Sequence, residues 1–184
     1  MKEQLKKMIV DSINTWTDTD IYAISFFVYD DRDNPCKPTI TLGYNTESEV
    51  RSQIKQGFAS DEAEARWNYA FWLQNDFFTF GTKETAQAVK NWVISNGFSY
   101  YDDNSERDND PIENGSNITN AFVSILIDIV RDIHKQGILS NKFGKELPII
   151  IHELEYYDEI AEQNILANGE ELVKDFTEWC TCWW

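Results

Sequence analysis

Residues 21–29, with the sequence Ile-Tyr-Ala-Ile-Ser-Phe-Phe-Val-Tyr, constrain the fold of this chain more than any other segment. Their β-branched and aromatic side chains favour a strand, and apolar residues occupy both alternating sets of positions. A strand of this kind has to be covered on both of its faces. Residues 30–38 then have the composition of a turn, with two prolines and three aspartates. Beyond this turn the apolar residues Ile40, Leu42 and Tyr44 occupy alternate positions, which predicts a partner strand. The two strands and the turn between them predict a β-hairpin.

Helical periodicity and capping residues predict six helices around this hairpin. They begin near Leu5, Thr46, Asp61, Thr82, Ser116 and Leu172. The longest one extends from a Ser116 or Asn117 cap to Gly137, and its wide apolar stripe predicts a central position. Residues 147–154 predict one more short strand. We therefore predict an α+β fold in which the hairpin and this later strand form a small, mainly antiparallel sheet.

The length of 184 residues and a hydrophobic content of 42% predict one folded domain over residues 1–184. Residues 101–113 contain six acids and almost no apolar side chain, so we expect an exposed loop there. Residues 181–184 are expected to form a short tail. No apolar stretch is long enough for a signal sequence or a membrane span, and the odd count of three cysteines suits a reducing compartment. A cytoplasmic location is the expectation.

Net charge limits the partners that such a chain can have. The 32 acids and 16 bases give a formal net charge of −16, which repels nucleic acid and anionic membranes and attracts basic partners. The acidity is concentrated: residues 101–113 carry a net −5 and residues 152–184 a net −8, whereas residues 1–16 are slightly basic. Concentrated charge favours electrostatic steering of a basic protein, although solubility alone would also explain an acidic surface.

Motifs for catalysis or cofactor binding are lacking. The chain has only two histidines, no nucleophile elbow, and glycines too scattered for a phosphate-binding loop. Asp30, Asp31 and Asp33 form an acidic turn without the glycine and glutamate of a calcium loop. His152 precedes Glu153, but no second histidine follows at the spacing of a zinc protease. We therefore predict no catalytic residue, no cofactor and no metal.

Four segments, taken in order, show a family resemblance. They are Tyr22-Ala23-Ile24-Ser25-Phe26, Asn45-Thr46-Glu47, Ala65-Arg66-Trp67 with the later Trp72, and Pro148 to His152 before an acidic helix. In this order they resemble a bacterial family of uncharacterised domains, the domain of unknown function four-three-zero-three. The likeness spans roughly residues 3–178. It implies a small, acidic bacterial protein, some relatives of which are similar to immunity proteins encoded beside toxins. The resemblance implies no catalytic residues.

The leading hypothesis is a non-enzymatic protein that binds a basic protein, such as a toxin domain that it neutralises. The candidate contact residues are eight acids: Asp102, Asp103, Asp108, Asp110, Glu153, Glu155, Asp158 and Glu159. The alternative is a small-molecule-binding or hydrolytic enzyme with a pocket near Trp67, Trp72 and His152; it requires these residues to line one cleft. A third possibility is an adaptor whose charge only keeps it in solution.

Overall fold

The computed structural model describes residues 1–101 and 111–181 of the chain. Eight α-helices lie in these ranges: α1 (Lys2–Thr15), α2 (Glu47–Gln56), α3 (Glu62–Trp67), α4 (Ala86–Ser95), α5 (Pro111–Lys135), α6 (Ile138–Phe143), α7 (Asp158–Asn168) and α8 (Glu170–Thr181). The same ranges contain four strands: β1 (Ile21–Asp30), β2 (Pro38–Thr46), β3 (Phe78–Phe80) and β4 (Ile149–His152).

The strands form one mixed sheet in the order β3-β2-β1-β4. Strand β1 pairs with β2 antiparallel, as the hairpin prediction requires, and Phe26 lies opposite Leu42. On its other side β1 pairs with β4 in parallel, and Phe26 lies opposite Ile151. Strand β3 is antiparallel to β2. The predicted α+β fold with a mainly antiparallel sheet is thus confirmed, and the parallel pair places the carboxyl ends of β1 and β4 at the same edge.

Both faces of the sheet are covered, as the composition of β1 predicts. On one face Ile24, Phe26 and Val28 pack in a core with apolar residues of α1, α4 and α5. On the opposite face Tyr22 and Ala23 belong to a second core that includes residues of α3, α7 and α8. Helices therefore lie on both sides of β1.

Capping residues set the start of the helices beside the second core. The Oγ1 of Thr46 accepts a hydrogen bond from the Glu49 N–H at 3.2 Å, and Asp61 caps α3 by accepting from the Glu64 N–H at 2.9 Å. Gly57 ends α2 with a left-handed backbone (φ 71°), which glycine adopts without a steric cost. These two predicted helix starts are confirmed.

The structure differs from the sequence prediction at several element boundaries. Strand β3 and helix α6 were not predicted, because three and six residues are too few to show a period. Helix α4 begins at Ala86 after a 3-10 turn, and Thr82 makes no side-chain cap. Helix α5 begins at Pro111, before the expected cap, and so includes the last residues of the expected loop 101–113. The expected final helix near Leu172 is α8, whereas α7, which precedes Gly169, was not predicted.

The free edge of β4 is covered by two asparagine side chains of α7. Asn164 accepts from the Ile151 N–H and donates to the Ile151 carbonyl, both at 2.8 Å. Asn168, one turn later, makes the same pair of bonds with Ile149 at 2.8 and 2.9 Å. Because side chains four residues apart lie on one helix face, this spacing matches alternate residues of the strand. Helix α7 is thereby hydrogen-bonded to the sheet as a fifth strand would be.

Within the described part of the chain, every helix is too short or too polar to cross a membrane. Residues 102–110, which make up most of the expected loop, and residues 182–184 of the expected tail lie outside the described ranges.

Candidate functional site: an acidic cleft at the ends of two parallel strands

A cleft of about 630 Å³ opens where β1 and β4 end, between α5 and α7. Asp30 is the last residue of β1, and Glu153 directly follows β4. Helix α5 contributes Thr119 to the lining, and α7 contributes Glu159. Since β1 and β4 are parallel neighbours, their carboxyl ends place Asp30 and Glu153 at one edge of the sheet. This is the edge at which open sheets with parallel strands bind ligands.

A second cavity of about 330 Å³ adjoins the cleft and shares Asp30, Glu153 and Tyr157 with it. Leu154 and Glu155 also line this second cavity. We refer to the two cavities together as the acidic cleft. Four carboxylates line it, those of Asp30, Glu153, Glu155 and Glu159.

Burial and repulsion from neighbouring acids raise the pKa of two carboxyl groups in the acidic cleft. Burial, followed by repulsion from Glu153 and Asp33, raises the pKa of Asp30 to about 6. Burial also raises the pKa of Glu153, with a further contribution from Glu155, while a hydrogen bond from the Tyr157 hydroxyl opposes the rise. Perturbed carboxyl groups in a cleft are typical of functional sites, because folding alone does not favour them.

The described lining of the acidic cleft contains no cation. None of the described residues that line it is Lys, Arg or His. Among the described residues, no ion pair includes Asp30, Glu153, Glu155 or Glu159. By contrast, Glu47 on α2 forms a two-pronged pair with Arg66, in which both N–O distances are 2.8 Å. The described residues of the acidic cleft therefore present negative charge to a ligand, with no cation among them.

We expect Asp30→Asn to stabilise the protein at neutral pH. Because the pKa of Asp30 in the folded protein exceeds its ordinary value of 3.8, the folded state binds more protons than the unfolded state between these two values. The free energy of unfolding therefore falls as the pH rises through that window, and asparagine avoids this loss. The carboxyl is partly solvated, so the expected gain is only about 1 kcal/mol at pH 7 and close to zero near pH 4.

Urea unfolding of the wild type and of Asp30→Asn at both pH values measures this difference. Glu162→Gln is the control, because Glu162 is exposed on α7 and lines neither cavity of the acidic cleft. A loss of stability in Asp30→Asn at pH 7 would show that the Asp30 carboxylate is favourable to the fold, contrary to our interpretation.

An exposed apolar side chain stands at the rim of the acidic cleft. Leu154 is 72% exposed and lines the smaller cavity, next to the acids Glu153 and Glu155. An apolar centre surrounded by polar groups is the usual arrangement of a protein interface. The rim therefore offers both an apolar contact and charge.

The structure brings together part of the set of candidate contact acids. Glu153, Glu155 and Glu159 all line the acidic cleft, whereas Asp158 is exposed at the start of α7 and lines neither of its cavities. The other four candidates, Asp102, Asp103, Asp108 and Asp110, lie outside the described residues.

Sequence reasoning missed Asp30 as a contact residue and considered it only as part of an acidic turn. The signal that could have found it is the parallel pairing of β1 with β4, which places the residue after each strand at one edge. No pattern in the amino-acid sequence indicates whether the later strand joins the hairpin parallel or antiparallel.

His152, the centre of the alternative enzyme hypothesis, is buried and fully hydrogen-bonded. Its Nδ1 lies 3.0 Å from the Glu153 carbonyl, which can only accept, so Nδ1 carries the proton. Its Nε2 then accepts from the Ser25 hydroxyl at 2.8 Å. A serine donating to a histidine is the arrangement of a hydrolase nucleophile and base. However, burial lowers the pKa of His152 to about 4, and both side chains are at most 2% exposed.

The two tryptophans of that hypothesis also lie in the second core. Trp67 is 6% and Trp72 is 5% exposed, and both pack edge-on against Tyr22. The Nε1 of Trp72 donates to the Arg66 carbonyl at 2.8 Å. The ring centroids of Trp72 and His152 are 6.0 Å apart, so these residues do meet, but they meet in packed core and neither borders the acidic cleft. This packing favours a structural role.

Two cysteines lie in the described part of the chain away from the acidic cleft. Cys36 and Cys180 are buried free thiols, and burial raises the pKa of both, that of Cys180 to about 11. Such thiols are poor nucleophiles at neutral pH. Among the described residues, no group of three or more His, Cys, Asp or Glu side chains could hold a metal ion.

Comparisons with known proteins identify no relative. No protein-family model matches the chain, and neither a curated protein nor a solved structure is significantly similar to it.

Proposed function

We propose that this protein binds a basic protein through the acidic cleft, and that it is an immunity protein that neutralises a basic toxin domain in the bacterial cytoplasm. The observation that supports the proposal most is the acidity of the cleft: burial and Glu153 raise the pKa of Asp30, burial and Glu155 raise the pKa of Glu153, and no described lining residue is a base. The immunity role rests only on the four sequence segments described above, since no family model matches the chain, and the net charge of −16 supports the basic partner.

Binding of a cation would reduce the repulsion between the carboxylates of Asp30 and Glu153 in the free protein. A lysine or arginine placed between Asp30 and Glu153 favours their ionised forms and replaces lost solvation with an ion pair. Leu154 would contribute apolar area at the edge of the same contact. The acids elsewhere on the surface would increase the rate of encounter and repel acidic competitors. Once bound, this protein would cover part of the partner's surface and would block the partner by occlusion.

Co-expression with the product of an adjacent gene that encodes a basic effector tests the proposal. We compare copurification and protection from toxicity for the wild type, for Asp30→Asn/Glu153→Gln, and for the control Glu162→Gln/Glu171→Gln. The control changes the net charge equally at exposed sites that do not line the acidic cleft. We expect the cleft variant to weaken the complex at least about tenfold, which is about 1.4 kcal/mol, and the control to change it less than about threefold.

Ionic strength separates specific binding from general attraction. At about 0.1 M salt the screening length is about 10 Å and at about 1 M it is about 3 Å, so the association rate should fall with added salt. If the cleft variant and the control weaken the complex equally, binding depends on the total charge of the protein and not on the position of these acids. An unaffected complex in both variants would contradict the proposal.

A further inference from the structure

His134 lies where the end of α5 meets the end of α7 and the segment that precedes β4. Its Nδ1 is 2.7 Å from a carboxylate oxygen of Glu146, and its Nε2 is 3.1 Å from the side-chain oxygen of Asn168. The imidazole is largely enclosed, since the side chain is 16% exposed. Both ring nitrogens are therefore within hydrogen-bond distance of a protein oxygen.

Strand β4 fixes the orientation of the Asn168 amide. The side-chain oxygen accepts from the Ile149 N–H at 2.8 Å, and the side-chain nitrogen donates to the Ile149 carbonyl at 2.9 Å and to the Asn164 carbonyl at 3.1 Å. A rotated amide would bring donor against donor at the Ile149 N–H and acceptor against acceptor at both carbonyls. The Asn168 atom that faces His134 is therefore an oxygen, which can only accept.

Glu146 is also an acceptor. Burial alone would raise the pKa of Glu146, but hydrogen bonds from His134 and Ser140 outweigh this effect and hold the pKa below its ordinary value of 4.5. At neutral pH the carboxyl group is therefore ionised and has no hydrogen to donate.

Two acceptors at the imidazole require two donors. A neutral imidazole has one N–H and one lone pair, so it donates to one of the two oxygens and turns its lone pair toward the other. The imidazolium donates to both, and its bond to the Glu146 carboxylate is strengthened by opposite charge. The observed geometry of His134 thus fits the doubly protonated ring.

We propose that His134 is a pH-sensitive latch that holds the end of α7 on β4. With both ring nitrogens protonated, it bridges Glu146 and Asn168. Loss of either proton places two acceptors face to face, and the contact between Asn168 and Ile149 loosens. The latch stabilises this contact where the imidazole is charged, and its contribution is lost as the pH rises. This inference does not depend on the proposed function.

Other charged groups around the imidazole keep their charge near neutral pH. Among the described residues, Glu146 is the only acid that forms an ion pair with His134. Helix α7 presents an uncharged amide to the ring. On α5, the Nε of Arg131 donates to a backbone carbonyl of α7 at 2.7 Å, and Lys135 is adjacent in sequence and so points away from the ring's side of the helix. On α6, Lys142 donates to a backbone carbonyl of α1.

Amide hydrogen exchange of the full chain, followed by NMR, measures the latch. The Ile149 N–H is bonded to Asn168, and the Ile151 N–H is bonded in the same way to Asn164, which has no hydrogen bond to a histidine. Ile151 is therefore an internal reference. Between about pH 6 and about pH 8.5 we expect the protection factor of Ile149 to fall about threefold to tenfold relative to that of Ile151.

Glu146→Gln separates the latch from a merely structural contact. The glutamine amide can donate to Nδ1, so a neutral imidazole with its hydrogen on Nε2 satisfies both neighbours. The relative protection of Ile149 should then no longer depend on pH. Glu162→Gln makes the same charge change at an exposed site of α7 and should retain the dependence of the wild type.

Nitrogen-15 NMR of the imidazole provides a measurement that needs no variant. At about pH 6 we expect a hydrogen on both ring nitrogens of His134. A hydrogen on only one of them, or a constant ratio of Ile149 to Ile151 protection in the wild type, would overturn the proposal. An unaltered pH dependence in Glu146→Gln would overturn it as well.

Discussion

Asn164→Ala is expected to lower the free energy of unfolding by about 2–4 kcal/mol. The side chain is fully buried and makes three hydrogen bonds of 2.8 Å, two with Ile151 and one with the Ile160 carbonyl. Without it, the Ile151 N–H at the edge of β4 loses its partner in a place that water does not fill. An unpaired buried donor costs about 1–3 kcal/mol, and the lost amide adds a cavity.

Urea denaturation followed by circular dichroism measures this loss. Glu162→Ala is the matched control, since it lies on the same helix with an exposed side chain and should change stability by less than about 0.5 kcal/mol. Asn168→Ala should have an intermediate effect, because Asn168 repeats the contact at Ile149 but is less deeply buried. An Asn164→Ala protein as stable as the control would show that α7 does not cover the strand edge as described.

Acid should destabilise the protein through His152, by about 3 kcal/mol between pH 6.5 and pH 4. Complete burial lowers the pKa of His152 from 6.5 to about 4. Between these values the unfolded chain binds a proton at this position and the folded protein does not, so the free energy of unfolding falls as the pH falls. Because the pKa of Asp30 is raised to about 6, this residue makes the free energy of unfolding rise as the pH falls over part of the same window, by a smaller amount.

The pH dependence of His152→Gln isolates this contribution. The variant retains a side-chain acceptor near Ser25 but cannot titrate, so its stability should vary less between pH 6.5 and pH 4 than that of the wild type. NMR of the imidazole nitrogens gives a second measurement that needs no variant: His152 should remain neutral, with the proton on Nδ1, down to about pH 5. Titration of His152 near pH 6.5 would contradict its placement in the core.

The sequence predicts the parts of this fold that depend on long or strongly patterned segments. Residues 21–29 predict a strand with two covered faces, and the Thr46 and Asp61 caps predict the starts of α2 and α3. Strand β3 could not be predicted, since its three residues become a strand only by pairing with β2. Helix α7 was missed because it carries its polar residues Asn164 and Asn168 on the side that faces β4.

The candidate site was predictable in composition but not in arrangement. Local acidity identified Glu153, Glu155 and Glu159, because these residues follow one another closely in an acidic segment. The contribution of Asp30 depends on a pairing between residues more than 100 positions apart, as does the contact of Ser25 with His152. A single amino-acid sequence does not contain that distance information, and tertiary structure supplies it.

The affinity of the basic partner for the wild type and for Asp30→Asn/Glu153→Gln, measured by calorimetry at about 0.1 M salt and pH 7, tests the central claim most directly. We predict that the variant binds at least about tenfold more weakly, although it is as stable as the wild type or more so, while Glu162→Gln/Glu171→Gln binds nearly as well as the wild type. An unchanged affinity in the cleft variant would contradict the assignment of the acidic cleft as the binding site.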